Sequence, residues 1–229
     1  MKRTFVVLGV GLLATACVRK QTTHTMYLEP DGSGVWMTLE KDVRSDDRDP
    51  ARRQADEEEF LAPVRTGAHN VAQAMSKLGA SSVETRLVRE VRPYLVATEG
   101  RFESIDGLIR SLFEQLAAPI TADVQVVGDS TRLRILWDIE QLRRCEQESC
   151  PDGEDEDLMA LILDTDAEDF SVLLSDGVFT AARGFRIEDD GTKAVLIEQS
   201  AEEIEAVEEM DEDGLVVAYS LTWTVAPNK

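Results

Sequence analysis

The chain has 229 residues, of which 24 are basic and 45 are acidic, and its net charge is −21 at neutral pH. A body this acidic repels nucleic acid, so recognition of DNA or RNA through a basic surface is excluded as a function. Hydrophobic residues make up 43% of the sequence, which is enough to form a core and unlike the composition of a disordered acidic tail.

The first 16 residues have the pattern of an export signal. Lys2 and Arg3 precede an apolar run from Phe5 to Leu13, and the small residues Ala14 to Ala16 stand directly before Cys17. The run is shorter than the ~20 apolar residues that a transmembrane helix needs. It therefore favours a cleaved signal over a permanent membrane span.

Residues 13–17, with the sequence LATAC, resemble the lipobox of bacterial lipoprotein signal peptides. The departure from that pattern is Ala14, where Leu is commonest. The resemblance implies that residues 1–16 are removed and that Cys17 is the lipid attachment residue, with a diacylglyceryl group on its sulfur. Several acyl chains on one residue suffice for stable anchoring, because each buried methylene contributes ~0.8 kcal/mol. The alternative is an ordinary signal peptide in which Cys17 has no role.

The residues after Cys17 bear on where the protein resides. In lipoproteins of double-membraned bacteria an Asp at the next position commonly means retention at the inner membrane, whereas this chain has Val18. We therefore expect a lipid-anchored protein of the bacterial cell envelope, at the outer membrane, on the periplasmic or surface face. Arg19 and Lys20 stand where a cation meets lipid phosphates, or they only solvate the linker.

Residues 17–25 are predicted to form a lipidated polar tether, and a β-hairpin is predicted to follow around Pro30–Gly34. Apolar residues alternate with polar ones on both sides of that turn. The residues expected to supply the buried contacts of this hairpin are Tyr27, Val35, Met37 and Leu39.

Helical patterns occupy the next stretch of the chain. Asp49-Pro50 is a helix-start signal, and Pro63 and Gly67 interrupt the pattern farther on. We therefore predict one helix that ends near Leu61 and a second helix over residues 67–78.

A strand pattern covers residues 83–103 and is broken near Arg92-Pro93. Ser104 is predicted to cap a helix, and a second hairpin is predicted around Gly128–Ser130. Trp137 is expected to pack in the core. The helix after Ser104 has apolar residues at helical spacing, namely Ile105, Leu108, Ile109, Leu112, Phe113 and Leu116.

Cys145 and Cys150 are the two cysteines that remain. Outside the cytoplasm, two thiols this close in sequence are expected to form a disulfide, and the small ring would shape a local turn. A metal site or a redox pair is the alternative. Zinc would need two further ligands, and the chain has only His24 and His69, neither of which is near this loop in sequence.

The rest of the chain reads mainly as strands, with turns at Asp176-Gly177 and Asp190-Gly191. A final strand is predicted to place Tyr219, Leu221 and Trp223 on one face. The fold class expected is α+β, with largely antiparallel sheets built from hairpins and packed by two or three helices. Two lobes, residues 26–140 and 169–226, are predicted to be joined by a cysteine loop and acidic connector over residues 141–168.

Two strand-turn-strand runs, at the amino end and over Asp176–Ile197, are similar to those of the LppM-like bacterial lipoproteins. That resemblance implies a lipid anchor joined to an α+β domain of lipid-binding character.

No motif predicts a catalytic, cofactor-binding or metal-binding residue. The acidic runs at residues 152–157 and 164–166 lack the ligand spacing of an EF-hand, which leaves weak Ca²⁺ association or a plain solvated surface. A serine triad would need His24 or His69, and the sequence has no GxSxG elbow and no glycine-rich phosphate loop. Paired carboxylates for glycoside hydrolysis stay open, because the sequence gives no distances.

The predicted function is that of a non-enzymatic, membrane-anchored envelope lipoprotein that binds an envelope protein or component or has a structural role. The alternative is a carrier that holds an apolar ligand such as a lipid in a groove between sheet and helices. A continuous apolar pocket of several hundred Å³ would favour the carrier. A packed interior with one flat apolar patch would favour the partner-binding protein, and a cleft of perturbed ionisable groups would favour an enzyme.

Overall fold

A computed structural model describes residues 18–115, 120–141, 169–199, 203–204 and 214–225. The predicted lipid attachment at Cys17, the predicted disulfide of Cys145 and Cys150, and the acidic runs tested for Ca²⁺ lie outside these residues. The helical and strand content confirms the α+β class.

Three α-helices and eleven strands are defined within the described residues, and residues 139–141 and 203–204 are also helical. The helices are α1 (Pro50–Thr66), α2 (Asn70–Lys77) and α3 (Ile105–Gln115). The strands are β1 (Val18–Leu28), β2 (Gly34–Ser45), β3 (Ser82–Arg89), β4 (Tyr94–Phe102), β5 (Ile120–Val127), β6 (Ser130–Trp137), β7 (Phe170–Leu174), β8 (Val178–Arg183), β9 (Phe185–Glu188), β10 (Lys193–Leu196) and β11 (Val216–Thr224).

The strands form two sheets. The seven-stranded sheet has the order β3-β4-β2-β1-β7-β10-β9, and the four-stranded sheet has the order β5-β6-β11-β8. Neighbours pair antiparallel except β1 and β7, which run parallel. Strands that follow residue 168 occur in both sheets, so the two predicted lobes share both of them.

The chain passes from one sheet to the other at Gly184, between β8 and β9. Gly184 has φ +69°, and a Cβ built there would lie 2.2 Å from the ring of Tyr219. Both the left-handed backbone and the close approach require glycine at this crossing.

The first hairpin is confirmed, but it starts earlier and buries the other face. Strand β1 begins at Val18, so the residues predicted as a polar tether are largely strand, and His24 is only 3% exposed. The prediction that Tyr27, Val35, Met37 and Leu39 are buried was wrong, because these side chains are half-buried. The residues that alternate with them face the core instead, namely Thr22, His24, Met26, Leu28, Gly34, Trp36, Thr38 and Glu40.

Helix α1 runs through Pro63, contrary to the prediction that this residue divides it. A proline inside a helix removes one N–H···O bond, and the helix continues to Gly67, whose φ of 72° provides a left-handed C-cap. At the other end, the Asp49 carboxylate accepts a hydrogen bond from the Ala51 N–H at 2.9 Å, which confirms the predicted start.

The predicted cap of α3 is also confirmed. The Ser104 hydroxyl accepts a hydrogen bond from the Gly107 N–H at 3.1 Å. None of the helices in the described part of the chain is both long and apolar enough to cross a bilayer.

One hydrophobic cluster joins the two sheets to α2 and α3. It includes Met26 and Val172 of the larger sheet and Leu133 and Leu221 of the smaller one. Leu221 and Trp223 lie in this cluster, and Tyr219 packs against it, as the predicted face of β11 requires. Trp137 is half-buried beside a smaller cluster of Ile204, Val216 and Ala218.

Candidate ligand-binding site

An apolar cavity of about 200 Å³ lies between the two sheets and α3. All three layers contribute walls to it, and half-buried lining residues such as Phe113 and Phe170 leave it partly open to solvent. Its lining consists of His24, Met26, Trp36, Leu108, Ile109, Leu112, Phe113, Leu133, Ile135, Phe170, Val172, Phe185 and Leu196.

The helical wall follows from the spacing of apolar residues in α3. Leu108 and Ile109 are 2% and 6% exposed, and they anchor the helix to the core. Leu112 and Phe113, one turn later, line the cavity and are half-buried. The sequence predicted these four residues as the core face of a helix, and the structure adds that their last turn borders a void.

The sheet walls come from alternate positions of β1, β2 and β7. Met26 pairs with Trp36 across one strand boundary and with Val172 across the other, so the three side chains form one row on the buried face. Leu133 and Ile135 of β6 close the cavity from the smaller sheet.

One edge of the cavity is polar, and His24 forms it. The Trp36 indole N–H donates to His24 Nδ1 at 3.2 Å, and the Thr38 hydroxyl lies 2.9 Å from the same nitrogen. Because an indole nitrogen can only donate, Nδ1 is an acceptor and the neutral imidazole carries its proton on Nε2. The ring also packs against Phe170, with 6.3 Å between centroids.

Size and chemistry limit what this cavity can hold. Sites for drug-sized ligands usually measure about 300–1,000 Å³, so a cavity of about 200 Å³ suits part of a hydrocarbon chain rather than a whole lipid. The apolar lining offers no charge to bind a polar substrate.

A second cluster of ionisable groups lies on the same buried face, nearer the start of β1. Lys20 Nζ donates to Glu40 Oε1 at 2.6 Å, and His69 Nε2 lies 3.2 Å from Glu40 Oε2. That second approach lacks hydrogen-bond geometry, so Glu40 Oε2 is buried without a hydrogen-bond partner among the described residues. His69 Nδ1, the other ring nitrogen, is likewise buried without one there. Phe60 packs edge-on against His69, with centroids 5.4 Å apart.

Burial lowers the pKa of His69 below its ordinary value. The negative charge of Glu40 acts in the opposite direction and Lys20 in the same direction, but desolvation is the largest of the three influences. His69 is therefore neutral in the folded protein near pH 7.

The two histidines considered for a triad do not assemble one. His69 is the N-cap residue of α2, and within the described residues it meets Glu40 but no serine or threonine hydroxyl. His24 contacts a hydroxyl, but Thr38 is 1% exposed and lies between strands of the sheet. The described part of the chain also holds no group of three or more His, Cys, Asp or Glu side chains placed to bind a metal ion.

Sequence reasoning missed His24 and Trp36 as site residues, because it ended the strand pattern at the tether and assigned the opposite face to the core. The signal that could have found them is the alternation itself, which extends back from Leu28 through Met26 to His24 and Thr22.

Comparisons with known proteins give one weak similarity. No family model matches the chain, and no curated protein matches it. The NMR structure of the folded domain of LppM from Mycobacterium tuberculosis is similar with a TM-score of 0.33 and 11% sequence identity, over 91% of each chain. A TM-score of this size does not establish a shared fold, so we base no functional step on it.

Proposed function

We propose that the protein is a non-enzymatic lipoprotein of the cell envelope, anchored through Cys17, that holds the hydrocarbon part of an apolar ligand such as a lipid. The observation that supports the carrier function is the cavity between the two sheets and α3, whose lining is apolar or aromatic except for His24. Its volume of about 200 Å³ is below the several hundred Å³ expected for a carrier of a whole lipid, so the proposal is restricted to a segment of a hydrocarbon chain.

The chemistry of the cavity matches a hydrocarbon tail. Each methylene that leaves water for an apolar environment contributes about 0.8 kcal/mol. A tail segment of several methylenes would gain a few kcal/mol from these walls. The walls are buried and half-buried side chains of strands and a helix, so most of the cavity is formed before a ligand enters and little ordering opposes binding.

The first experiment fills the cavity. Leu112 is half-buried and borders the void, so Leu112→Trp would occupy it without replacing a fully buried residue. We expect at least about a tenfold loss of affinity for a fluorescent fatty acid such as cis-parinaric acid, measured by titration. Glu114→Trp places the same indole on the exposed side of α3 and should bind as the unsubstituted chain does.

Equal binding by both tryptophan variants, or no binding by the unsubstituted chain, would contradict the carrier function. The melting temperature of each variant shows whether a loss of binding reflects a filled cavity or a damaged fold.

The second experiment tests the anchor. Mass spectrometry of the native amino-terminal peptide should find an acyl mass on a peptide that begins at Cys17, and Cys17→Ser should lose both this mass and the membrane association that survives a high-salt wash. A Cys17→Ser chain that stays fully membrane-bound contradicts the anchor, whereas the cavity is judged by the fatty-acid titration alone.

A further inference from the structure

One end of the seven-stranded sheet gathers residues that are remote in sequence. Val18 at the start of β1 pairs with Ser45 at the end of β2, and Val43 pairs with Tyr94 at the start of β4. The turn that joins β3 to β4 therefore lies at the same end as the first described residue.

A shallow depression of about 450 Å³ lies at this end. Three arginines from β1, β2 and the β3–β4 turn line it together with one aspartate, so basic side chains outnumber acidic ones in this lining, in a protein of net charge −21. Two of these arginines are paired with carboxylates, Arg19 with Asp46 and Arg92 with Glu57. The lining residues are Arg19, Arg44, Ser45, Asp46, Arg92 and Pro93.

The three arginines are held to different degrees. Arg92 Nε forms an ion pair with Glu57 Oε1 at 2.8 Å, and the Arg92 NH2 group donates to the Ser45 carbonyl at 2.9 Å, so this guanidinium is fixed against the sheet. Arg19 pairs with the aspartate of the lining at 2.7 Å and is largely exposed. The side chain of Arg44 is exposed and forms no ion pair or hydrogen bond with the other described residues.

Exposed apolar side chains accompany these charges. Val88 and Val91 are 53% and 68% exposed at the β3–β4 turn, and the exposed Arg89 and Glu90 lie between them in sequence. Valines beside arginines can enter the region between lipid headgroups and acyl chains while the cations stay at the phosphates.

The opposite end of the same sheet has the opposite charge. The depression there is lined by Glu29, Asp31 and Glu103, with Arg101 as its one basic residue. An anionic surface would thus attract one end of the sheet and repel the other.

We infer that the arginine-lined depression and the two exposed valines form a docking surface for an anionic bilayer, with the guanidinium groups on lipid phosphates. The position of the surface identifies the bilayer as its occupant, since Val18 follows Cys17 and adjacent Cα atoms lie about 3.8 Å apart. This inference rests on the proposed anchor, which would bring lipid phosphates to this end of the protein.

The docking surface can be measured apart from the anchor. The probe is the chain from residue 17 with Cys17→Ser, which carries no lipid and retains every described element. It is co-sedimented at low ionic strength with vesicles of phosphatidylglycerol and phosphatidylcholine, and with vesicles of phosphatidylcholine alone. We expect binding to the anionic vesicles that weakens as salt is added.

The decisive variant is Arg44→Gln, because its side chain has no described partner whose loss would disturb the fold. We expect its partition coefficient onto anionic vesicles to fall about fivefold. Arg101→Gln, at the opposite end of the sheet, should bind as the parent chain does. Val91→Ser should reduce binding about threefold, whereas Val126→Ser, which alters a valine that is 76% exposed on the four-stranded sheet, should not.

Equal binding to both kinds of vesicle, or equal effects of Arg44→Gln and Arg101→Gln, would overturn the inference. The inference would also be overturned if free inorganic phosphate, at matched ionic strength, stabilised the protein against thermal unfolding while the protein did not bind to vesicles. Failure of the anchor appears instead as a missing acyl mass on the native peptide, which leaves these vesicle measurements unchanged.

Discussion

Toward the start of β1 the buried face of the seven-stranded sheet is polar, whereas farther along the same strands it is apolar. In β2, Thr38 and Glu40 are each 1% exposed, and Trp36, two positions from Thr38, is 3% exposed. Helix α1 contacts β1 and β2 at the polar half, and α3 encloses the cavity at the apolar half.

The two halves obey different physical demands. A buried polar group is stabilised by a hydrogen-bond partner, so the polar half contains cross-strand and ion pairs such as Thr85 with Thr98 and Lys20 with Glu40. Glu40 Oε2 and His69 Nδ1 are exceptions among the described residues. An apolar side chain needs no hydrogen-bond partner, and the side chains beside a void lose only van der Waals contacts. The cavity is accordingly found in the apolar half.

The largest effect on stability is expected from removal of the Trp36 side chain, which lies in the apolar half. Trp36→Ala should lower the free energy of unfolding by about 3–5 kcal/mol, because it enlarges the cavity and removes the hydrogen bond to His24. Denaturant unfolding measures this loss. Trp36→Phe keeps most of the packing and should lose clearly less, so equal losses would show that packing in this half is unimportant.

A smaller effect is expected in the polar half from Glu40→Ala. The substitution leaves Lys20 without its carboxylate, but the Lys20 side chain is 30% exposed and can turn to water. We therefore expect a loss of about 2 kcal/mol, below the value for a fully buried pair. Glu84→Ala, which alters an exposed carboxylate on β3, should change stability by less than about 0.5 kcal/mol. An unchanged or stabilised Glu40→Ala chain would contradict the role given to this pair.

The threonine pair of the polar half should contribute less again. Thr85→Val leaves the hydroxyl of Thr98, which is 1% exposed, without its partner 3.1 Å away, and should lower stability by about 1 kcal/mol. The double variant Thr85→Val/Thr98→Val should lose less than the sum of the single losses, because no orphaned hydroxyl remains. Simple additivity would argue against this pairing.

The smallest expected effect is the pH dependence of stability that His69 causes. This residue lies at the edge of the polar half. Burial holds the pKa of His69 below its ordinary value of 6.5. As pH falls through 6.5, the unfolded chain takes up a proton that the folded chain does not, so the free energy of unfolding decreases. Thermal unfolding from pH 7.5 to 5 should show this decrease, and His69→Gln should reduce its slope. An identical slope in that variant would assign the decrease to other groups.

Local signals predicted much of the secondary structure. The hairpin turn before Gly34, the helix start at Asp49 and the cap at Ser104 each depend on one or two residues and their immediate neighbours. The prediction that the helix ends before Pro63 was wrong, because the loss of a single hydrogen bond does not end a helix that is anchored on both sides of the proline. Leu61 and Val64, which flank Pro63, are both buried.

The sequence by itself determined the α+β class, the hairpins and the apolar face of α3, since these depend on alternation, spacing and turn chemistry within short segments. Only the tertiary structure decided which face of β1 and β2 is buried, because both faces carry apolar side chains and the choice is made by the helices and strands that cover them. The same holds for the cavity and for the three arginines at one sheet end. Each depends on strand pairings between residues far apart in the chain, such as Met26 with Val172 and Val43 with Tyr94.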